Sequence, residues 1–316
     1  MALEASRSED TRLGVLLLAY GSPSSLADVE EYLTDIRGGR KPSIVDVQDL
    51  QNRYGMIGGR SPLLNITMAQ ASALRKNLEG FGGDIPVYVG MKHWYPFIHE
   101  TVSRICEDGI QRLISLALAP HYSKISVGGY EETLRHAAEE CVAKIDIRFI
   151  RSWHRHPLYI DALVRRVVNA LSRYFPSLER SQIPIVFTAH SLPERILSEG
   201  DPYQDQLLET CEALAFKLGR PSWTLAYQSA SKTGERWLRP SIIETLTSLR
   251  RKGETHVLIV PVGFVSDHLE ILYDIDVQAR SHAERLAIEM RRTESLNDDP
   301  TFIRCLASLV QDHIKS

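Results

Sequence analysis

Short apolar runs alternate with amphipathic stretches along the whole of this 316-residue chain. Runs such as residues 15–19 and 257–262 are much shorter than the ~20 residues that a membrane-spanning helix needs, and they end at Gly or Pro within a few residues. In the stretches between them, for example residues 158–174, apolar side chains recur at helical spacing. This alternation is typical of βαβ units in which a parallel sheet is covered by helices on both faces.

The pattern predicts four strands in each half of the chain. These are residues 14–20, 87–90, 113–120, 145–152, 184–190, 223–228, 256–264 and 285–290. Crossover helices are predicted at residues 67–78, 158–174, 205–218 and 240–251. The sequence therefore indicates an α/β protein with parallel sheets.

The two halves of the chain also resemble each other. VLLLAYGSP (15–23) is similar to IVFTAHSLP (185–193), and LALAPHYS (116–123) is similar to LIVPVGFVS (258–266). An internal repeat of this kind predicts two similar Rossmann-like lobes, each with a four-stranded parallel sheet and with a cleft between them. Ligands of such sheets bind beyond the carboxyl ends of the strands, so Tyr20 and His190 are expected to face that cleft.

Domain bounds follow from the same repeat. We expect a disordered tail at residues 1–11, a first lobe at residues 12–153 and a second lobe at residues 154–316, whose last helix is free to pack back on the first lobe. A length above 300 residues suits two lobes better than a single core.

Composition excludes several classes of partner. The formal net charge is -3 and the isoelectric point is near 6.4, so there is no basic field for nucleic acid. The glycine fingerprint of dinucleotide-binding folds, the Walker A loop and the GxSxG elbow are all absent from the sequence. The four cysteines lie far apart, which predicts reduced thiols packed as small apolar groups in a cytoplasmic protein.

Acidic residues cluster in PVGFVSDHLEILYDID (261–276). Ser266 is a possible helix N-cap, and Glu270 and Asp274 would then lie one turn apart on one face. Two neighbouring carboxylates are expected to raise each other's pKa and to bind a cation or accept a proton. Taken alone, the cluster fits a solvated acidic face somewhat better than a functional site.

His190 ends an apolar strand and is the second candidate. A single histidine at a strand end is more often a hydrogen-bonded core residue than a ligand. Opposite a carboxylate, however, a neutral imidazole forms a nitrogen and oxygen site that suits ferrous iron, and the same pair can accept protons.

Motifs along nearly the whole chain resemble those of the ferrochelatase family. They are LLLAYGSP (16–23), RGGRKP (37–42), DLQNRYGMIGGRSPL (49–63), GMKHWYPF (90–97), LAPHYS (118–123), TAHSLPE (188–194), GDPYQDQ (200–206) and PVGFVSDHLEILYD (261–274). The chain is most similar to the coproporphyrin III ferrochelatases of Gram-positive bacteria, because the segment between Arg37 and Ser61 is short and lacks a longer hydrophobic lip.

The resemblance implies roles for individual residues. His190 and Glu270 would form the ferrous iron site and accept the pyrrole protons, with Asp274 behind them, and Tyr20 would lie on the opposite face of the macrocycle as an axial ligand of the product. Porphyrin contacts are implied for Arg37, Arg53, Tyr54, Ser61 and Tyr130. Two positions depart from the family pattern, because Gly38 stands where a second arginine is common and Gln278 where a glutamate is common.

The resemblance further implies the reaction and its partners. Ferrous iron and coproporphyrin III would be the substrates, with no cofactor and no iron–sulfur cluster, since the cysteine cluster of some relatives is missing. A monomer without a transmembrane segment would pass Fe-coproporphyrin III to a coprohaem decarboxylase. Three alternatives stay open: a protoporphyrin IX ferrochelatase, a chelatase for another tetrapyrrole, and a non-catalytic haem or porphyrin carrier.

Overall fold

A computed structural model describes residues 12–81, 84–141, 144–220, 222–231 and 234–315 of the chain. The tail predicted at residues 1–11 lies outside the described residues. No helix in these ranges combines the length and the apolar character that crossing a membrane requires.

The described chain forms two four-stranded sheets in which every strand pair is parallel. The first sheet has the order β2-β1-β3-β4, and the second has the order β6-β5-β7-β8. The strands are β1 (Leu13–Ala19), β2 (Val87–Met91), β3 (Arg112–Ala117), β4 (Asp146–Ile150), β5 (Ile185–His190), β6 (Thr224–Gln228), β7 (His256–Pro261) and β8 (Glu289–Arg292). The equivalent strand orders agree with an internal repeat and confirm the predicted α/β fold with parallel sheets.

Helices cover both faces of each sheet. They are α1 (Val29–Ile36), α2 (Ile44–Met56), α3 (Leu63–Leu78), α4 (Ile98–Glu107), α5 (Val127–Glu139), α6 (Pro157–Tyr174), α7 (Tyr203–Leu218), α8 (Ile242–Arg251), a π-helix (Glu270–Ala279) that continues into α9 (Arg280–Arg285), and α10 (Pro300–Lys315). The four crossover helices expected from the sequence are present as α3, α6, α7 and α8. Ser241 caps α8 by accepting a hydrogen bond from the Glu244 amide, as expected for a capping box.

The last strand differs from its prediction. The expected strand at residues 285–290 lies instead at Glu289–Arg292. Residues up to Arg285 complete α9, and Ala287 then takes a left-handed backbone conformation with φ of 50°. Pairing with β7, rather than local hydrophobicity, sets where this strand begins.

One continuous apolar core joins the two lobes. It contains side chains of both central strands, such as Leu17 and Leu258. Helix α10 packs on α3 of the first lobe as well as on α6, and the Arg112 guanidinium on β3 donates to the carbonyl of His313 on α10. The core therefore holds the carboxyl ends of the two sheets in a fixed relation to each other.

The prediction that all cysteines are reduced is wrong for one pair. Cys106 and Cys141 form a disulfide, with their Cα atoms 6.4 Å apart. The two residues are 35 positions apart in sequence, but α4 and α5 pack side by side and bring their carboxyl-terminal ends together. Cys211 and Cys305 are free and buried as expected, and burial raises the pKa of each thiol.

Candidate active site

A cavity of about 380 Å³ lies beyond the carboxyl ends of the strands and is lined by both lobes. Six of the residues singled out from the sequence line it: Tyr20, Tyr54, Ser61, Tyr130, His190 and Glu270. The expectation that Tyr20 and His190 face a shared cleft is therefore met.

Two glycines allow the backbone to approach closely around this cavity. Gly21 follows β1 with φ of 95°, and a Cβ atom there would lie 2.9 Å from the backbone nitrogen of Trp94. A Cβ atom on Gly263 would lie 2.7 Å from the Cβ of Ala189, directly before His190. Larger residues at either position would push the strand ends apart.

His190 is a neutral imidazole at the end of β5. Its Nδ1–H donates to the carbonyl of Ser191, because a carbonyl oxygen can only accept. Burial lowers the pKa of His190, against the opposing effect of the nearby Glu270 charge. The Nε2 atom therefore carries a lone pair that can bind a metal ion or accept a proton.

Glu270 is ionised and paired with a histidine that sequence reasoning did not single out. Nε2 of His268 donates to Oε2 of Glu270 over 2.8 Å, and Nδ1 of His268 donates to the Ser266 carbonyl over 2.9 Å. Burial alone would raise the pKa of Glu270, but the charge and hydrogen bond of His268 outweigh it and lower the pKa to about 2. Both ring nitrogens of His268 act as donors, which agrees with the raised pKa of that imidazole.

The start of the acidic helix differs from the prediction. Ser266 is not the N-cap, because the π-helix begins at Glu270 and the Ser266 hydroxyl instead accepts a hydrogen bond from Nε2 of Gln70. The expected mutual rise in pKa is found for Asp274 alone. The pKa of Glu270 is not raised, because His268 supplies a positive charge at hydrogen-bonding distance.

Asp274 lies behind Glu270 rather than in the cavity wall. Burial raises the pKa of Asp274 to about 6, and the charge of Glu270 adds to this rise. The Ser229 hydroxyl donates to Oδ2 of Asp274, and this hydrogen bond partly offsets the rise in the pKa. Asp274 can therefore gain or lose a proton near neutral pH, whereas Glu270 stays ionised.

Three tyrosines, Tyr20, Tyr54 and Tyr130, also line the cavity. The ring of Tyr20 packs at 4.6 Å between centroids on the ring of His93. Burial, reinforced by the charge of Glu270, raises the pKa of Tyr20, and burial likewise raises the pKa of Tyr54 and of Tyr130. All three phenols are neutral at physiological pH and can donate hydrogen bonds.

The two predicted arginines are not among the residues that line the cavity in the described part of the chain. Arg37 pairs with Asp46 over 3.0 Å, and Arg53 pairs with Asp49 over 2.9 Å. The Arg53 guanidinium also lies 5.4 Å from the centre of the Tyr273 ring, so it connects α2 to the π-helix. A propionate contact of either arginine stays a prediction.

Lys92 is a second cavity residue that sequence reasoning left out of the main set. It lines the cavity with its ammonium 5.4 Å from the centre of the Tyr130 ring, and burial lowers its pKa. Its position directly after β2 was a usable signal, because strand ends of the first lobe converge on the cleft. For His268 the signal was weaker: only its spacing of two residues from Glu270.

Within the described residues, no cluster of three or more histidine, cysteine or acidic side chains could enclose a metal ion. The neutral imidazole and ionised carboxylate of His190 and Glu270 instead face an open cavity. A two-lobed α/β fold with such a pair at the ends of its strands is typical of a class of proteins that bind a ligand in the cleft between the lobes, and the pair is compatible with a metal ion there.

Comparison with known proteins places the chain more narrowly. The family described as Ferrochelatase matches residues 12–314, so the chain belongs to the ferrochelatase family. A ferrochelatase of Herpetosiphon aurantiacus is 43% identical over 300 residues, which cover 95% of this chain and 98% of that protein. A coproporphyrin III ferrochelatase of a Geobacillus species is 41% identical over 307 residues, covering 96% and 98% of the two chains.

Solved structures agree with the fold. SirB of Bacillus subtilis, solved with Fe3+, superposes with a TM-score of 0.59 over 95% of each chain at 9% identity. The same fold in SirB solved with cobalt gives a TM-score of 0.58. At such low identity the likeness shows the shared chelatase fold alone.

Proposed function

We propose that this ferrochelatase inserts ferrous iron into coproporphyrin III and releases Fe-coproporphyrin III, with His190 and Glu270 as the metal-handling pair. The observation that carries the proposal is the contrast between a neutral imidazole and an ionised carboxylate on one cavity wall. Ferrous iron accepts both ligand types, and both groups can take up a proton.

The reaction exchanges one metal ion for two protons. Each pyrrole N–H of the free porphyrin must lose its proton before its nitrogen can bind the iron. Nε2 of His190 has a free lone pair, and Glu270 is held ionised by His268, so both can act without first losing a proton themselves. We assign them to presenting the iron and to removing the pyrrole protons from one face of the macrocycle.

Tyr20 is assigned to the opposite face. Its side chain lines the same cavity as His190 and Glu270, which supports its assignment as an axial ligand of the product iron. Tyr54, Ser61 and Tyr130 are assigned to contacts with the porphyrin, and Lys92 adds a cation to the same wall. Bending of the macrocycle would expose the pyrrole nitrogens, at a cost of about 1–5 kcal/mol drawn from these contacts.

The coproporphyrin preference is supported by two observations. Relatives named coproporphyrin III ferrochelatase are 39–41% identical over nearly the whole chain. A macrocycle with four propionates also suits a cavity that is lined by the cation of Lys92, since cations bind carboxylates through charge-assisted hydrogen bonds.

An anaerobic assay with ferrous iron tests the function. We expect the absorbance of free coproporphyrin III to be replaced by that of its iron complex, with a kcat/KM at least about tenfold above that for protoporphyrin IX, a preference worth about 1.4 kcal/mol. Faster turnover of protoporphyrin IX would show that protoporphyrin IX, and not coproporphyrin III, is the preferred substrate. Binding of porphyrin without any metal insertion would favour the carrier alternative.

We also propose that the protein works in the cytoplasm as a monomer, needs no resident cofactor and hands its product to a coprohaem decarboxylase. Disulfides are rare in the reducing cytosol, so the bond between Cys106 and Cys141 is the observation that weighs against this location. Cell fractionation followed by immunoblotting should recover the protein in the cytosolic fraction. Recovery of the protein outside that fraction would contradict the proposed location.

A further inference from the structure

Two of the sequence motifs, LAPHYS (118–123) and GDPYQDQ (200–206), have no part in the metal site, yet the structure brings them into contact. The carboxylate of Asp201 accepts hydrogen bonds from the Ser123 hydroxyl over 2.9 Å and from the Lys124 amide over 2.7 Å. Its other oxygen accepts from the amide of Tyr203 over 3.0 Å, at the start of α7. The carboxylate of Asp201 in the second lobe therefore binds the loop at Ser123 and Lys124 in the first lobe.

Two further side chains of α7 bind the same loop. Oε1 of Gln206 accepts from the Tyr122 amide over 2.7 Å, and the Thr210 hydroxyl lies 2.8 Å from Nε2 of His121. Positions 203, 206 and 210 fall on one face of a helix. Asp201, Tyr203, Gln206 and Thr210 together form what we call the α7 joint.

The loop that the joint holds is also part of the cavity wall. Ala119, His121, Ile125 and Ser126 all line the cavity, and α5 with its Tyr130 follows directly. A shift of this loop would therefore move the surface against which a macrocycle packs.

The α7 joint also contacts the backbone of His190, one of the two residues assigned to the metal. The Tyr203 hydroxyl donates to the backbone carbonyl of His190 over 2.9 Å. Tyr203 is buried and its ring packs edge-on against His121, with 6.3 Å between the ring centres. The segment from Asp201 to Tyr203, where α7 begins, thus contacts the first-lobe wall through Asp201 and the His190 backbone through Tyr203.

We infer that the α7 joint sets the spacing between the porphyrin-binding wall of the first lobe and the imidazole of His190 in the second. Asp201 and Tyr203 are positioning residues with separable effects: Asp201 acts on porphyrin binding and Tyr203 on metal insertion. The inference rests on the proposed role of His190. The effect expected for Asp201, however, concerns porphyrin binding alone and does not depend on that role.

The test compares Asp201→Ala and Tyr203→Phe, using zinc insertion into coproporphyrin III for turnover and porphyrin fluorescence for the dissociation constant without metal. We expect Asp201→Ala to weaken porphyrin binding about tenfold while kcat stays within about twofold, as for loss of charge-assisted hydrogen bonds. Tyr203→Phe should lower kcat about tenfold and leave porphyrin binding within about twofold.

Matched variants separate positioning from general loss of structure. Asp201→Asn keeps an oxygen for Ser123 and Lys124 and should restore binding to within about threefold of the original. Asp205→Ala removes an exposed carboxylate from α7, and Tyr174→Phe removes a hydroxyl from a residue that does not line the cavity; both should leave binding and kcat unchanged. A parallel fall of kcat and binding in both joint variants would overturn the inference, and so would unchanged values.

A readout without turnover keeps this inference distinct from the proposed function. If the unmodified protein inserts no metal into any porphyrin, the proposed function fails. The joint is then still tested by porphyrin binding to Asp201→Ala and by the NMR chemical shifts of His190 at a fixed pH, which Tyr203→Phe should change because it removes the hydrogen bond to the His190 carbonyl. Unchanged chemical shifts together with unchanged binding would refute the joint in that case too.

Discussion

Nε2 of His268 and Oε2 of Glu270 lie 2.8 Å apart, and this pair keeps a buried carboxylate ionised at the cavity wall. Without the imidazolium, burial would act on Glu270 with less opposition and its pKa would rise. We therefore expect His268→Gln to move the acidic limb of the pH–kcat profile for zinc insertion upward by about one unit or more. His136→Gln, at an exposed position, serves as the control.

The same pair predicts the acid stability of the native protein. The pKa of Glu270 is lowered from 4.5 to about 2, so the folded protein binds this proton less tightly than the unfolded chain. The stability contributed by ionised Glu270 is present above about pH 4.5 and is lost as the pH falls toward 2. Urea unfolding between pH 3 and 6 should show that the free energy of unfolding falls less steeply with decreasing pH in His268→Gln than in the original protein. Equal slopes of this free energy against pH would contradict the pairing.

His190→Ala should remove metal insertion but not porphyrin binding. General base groups typically contribute 10²–10⁴-fold, so we expect kcat for iron or zinc insertion to fall at least about a hundredfold. The dissociation constant for coproporphyrin III should stay within about twofold, because most of the cavity wall is unchanged. His136→Ala is the matched control, and turnover retained by His190→Ala would refute the assignment.

Asp274 should destabilise the protein when it ionises. Its pKa is raised from 3.8 to about 6, so the folded protein binds this proton more tightly, and the resulting stability is present below pH 3.8 and lost as the pH rises through 6. Asp274→Asn removes this cost and should raise the free energy of unfolding at pH 8 by up to about 3 kcal/mol, with little effect at pH 4.

The neighbouring carboxylate of Asp276 provides a control for Asp274→Asn, because its substitution should change the free energy of unfolding in the opposite direction. Asp276 accepts two hydrogen bonds from Arg292 over 2.9 and 2.8 Å, so Asp276→Asn should destabilise the protein at pH 8. If both substitutions lower the free energy of unfolding, the interpretation of Asp274 is wrong.

The disulfide between Cys106 and Cys141 should stabilise the fold without affecting catalysis. Closing a loop over 35 residues restricts the unfolded chain by about 4 kcal/mol in the chain-entropy account. Dithiothreitol should therefore lower Tm of the original protein, while kcat at 25 °C stays the same. The double variant Cys106→Ser, Cys141→Ser should have the lower Tm already and should not respond to the reagent.

Local sequence patterns were sufficient for most of the fold. Apolar runs of strand length and helical periodicity are set within a few neighbouring residues, and the repeat of AYGSP in AHSLP indicated two equivalent lobes. The same repeat predicted that Tyr20 and His190 meet, because parallel strands of both lobes present their carboxyl ends to one cleft. The start of β8 was misplaced, since pairing with β7 decides it, and the predicted third and seventh strands ran past the observed ends of β3 and β7.

Tertiary structure decided the properties that depend on groups distant in sequence or on orientation. Asp201 meets the loop at Ser123 only after the lobes pack, and Cys141 meets Cys106 only because two helices lie side by side. The charge of Glu270 depends on which way the His268 ring points. Hydrophobic periodicity is local and can be read along the chain, whereas hydrogen bonds and pKa values depend on distances of a few ångströms that only the packed molecule fixes.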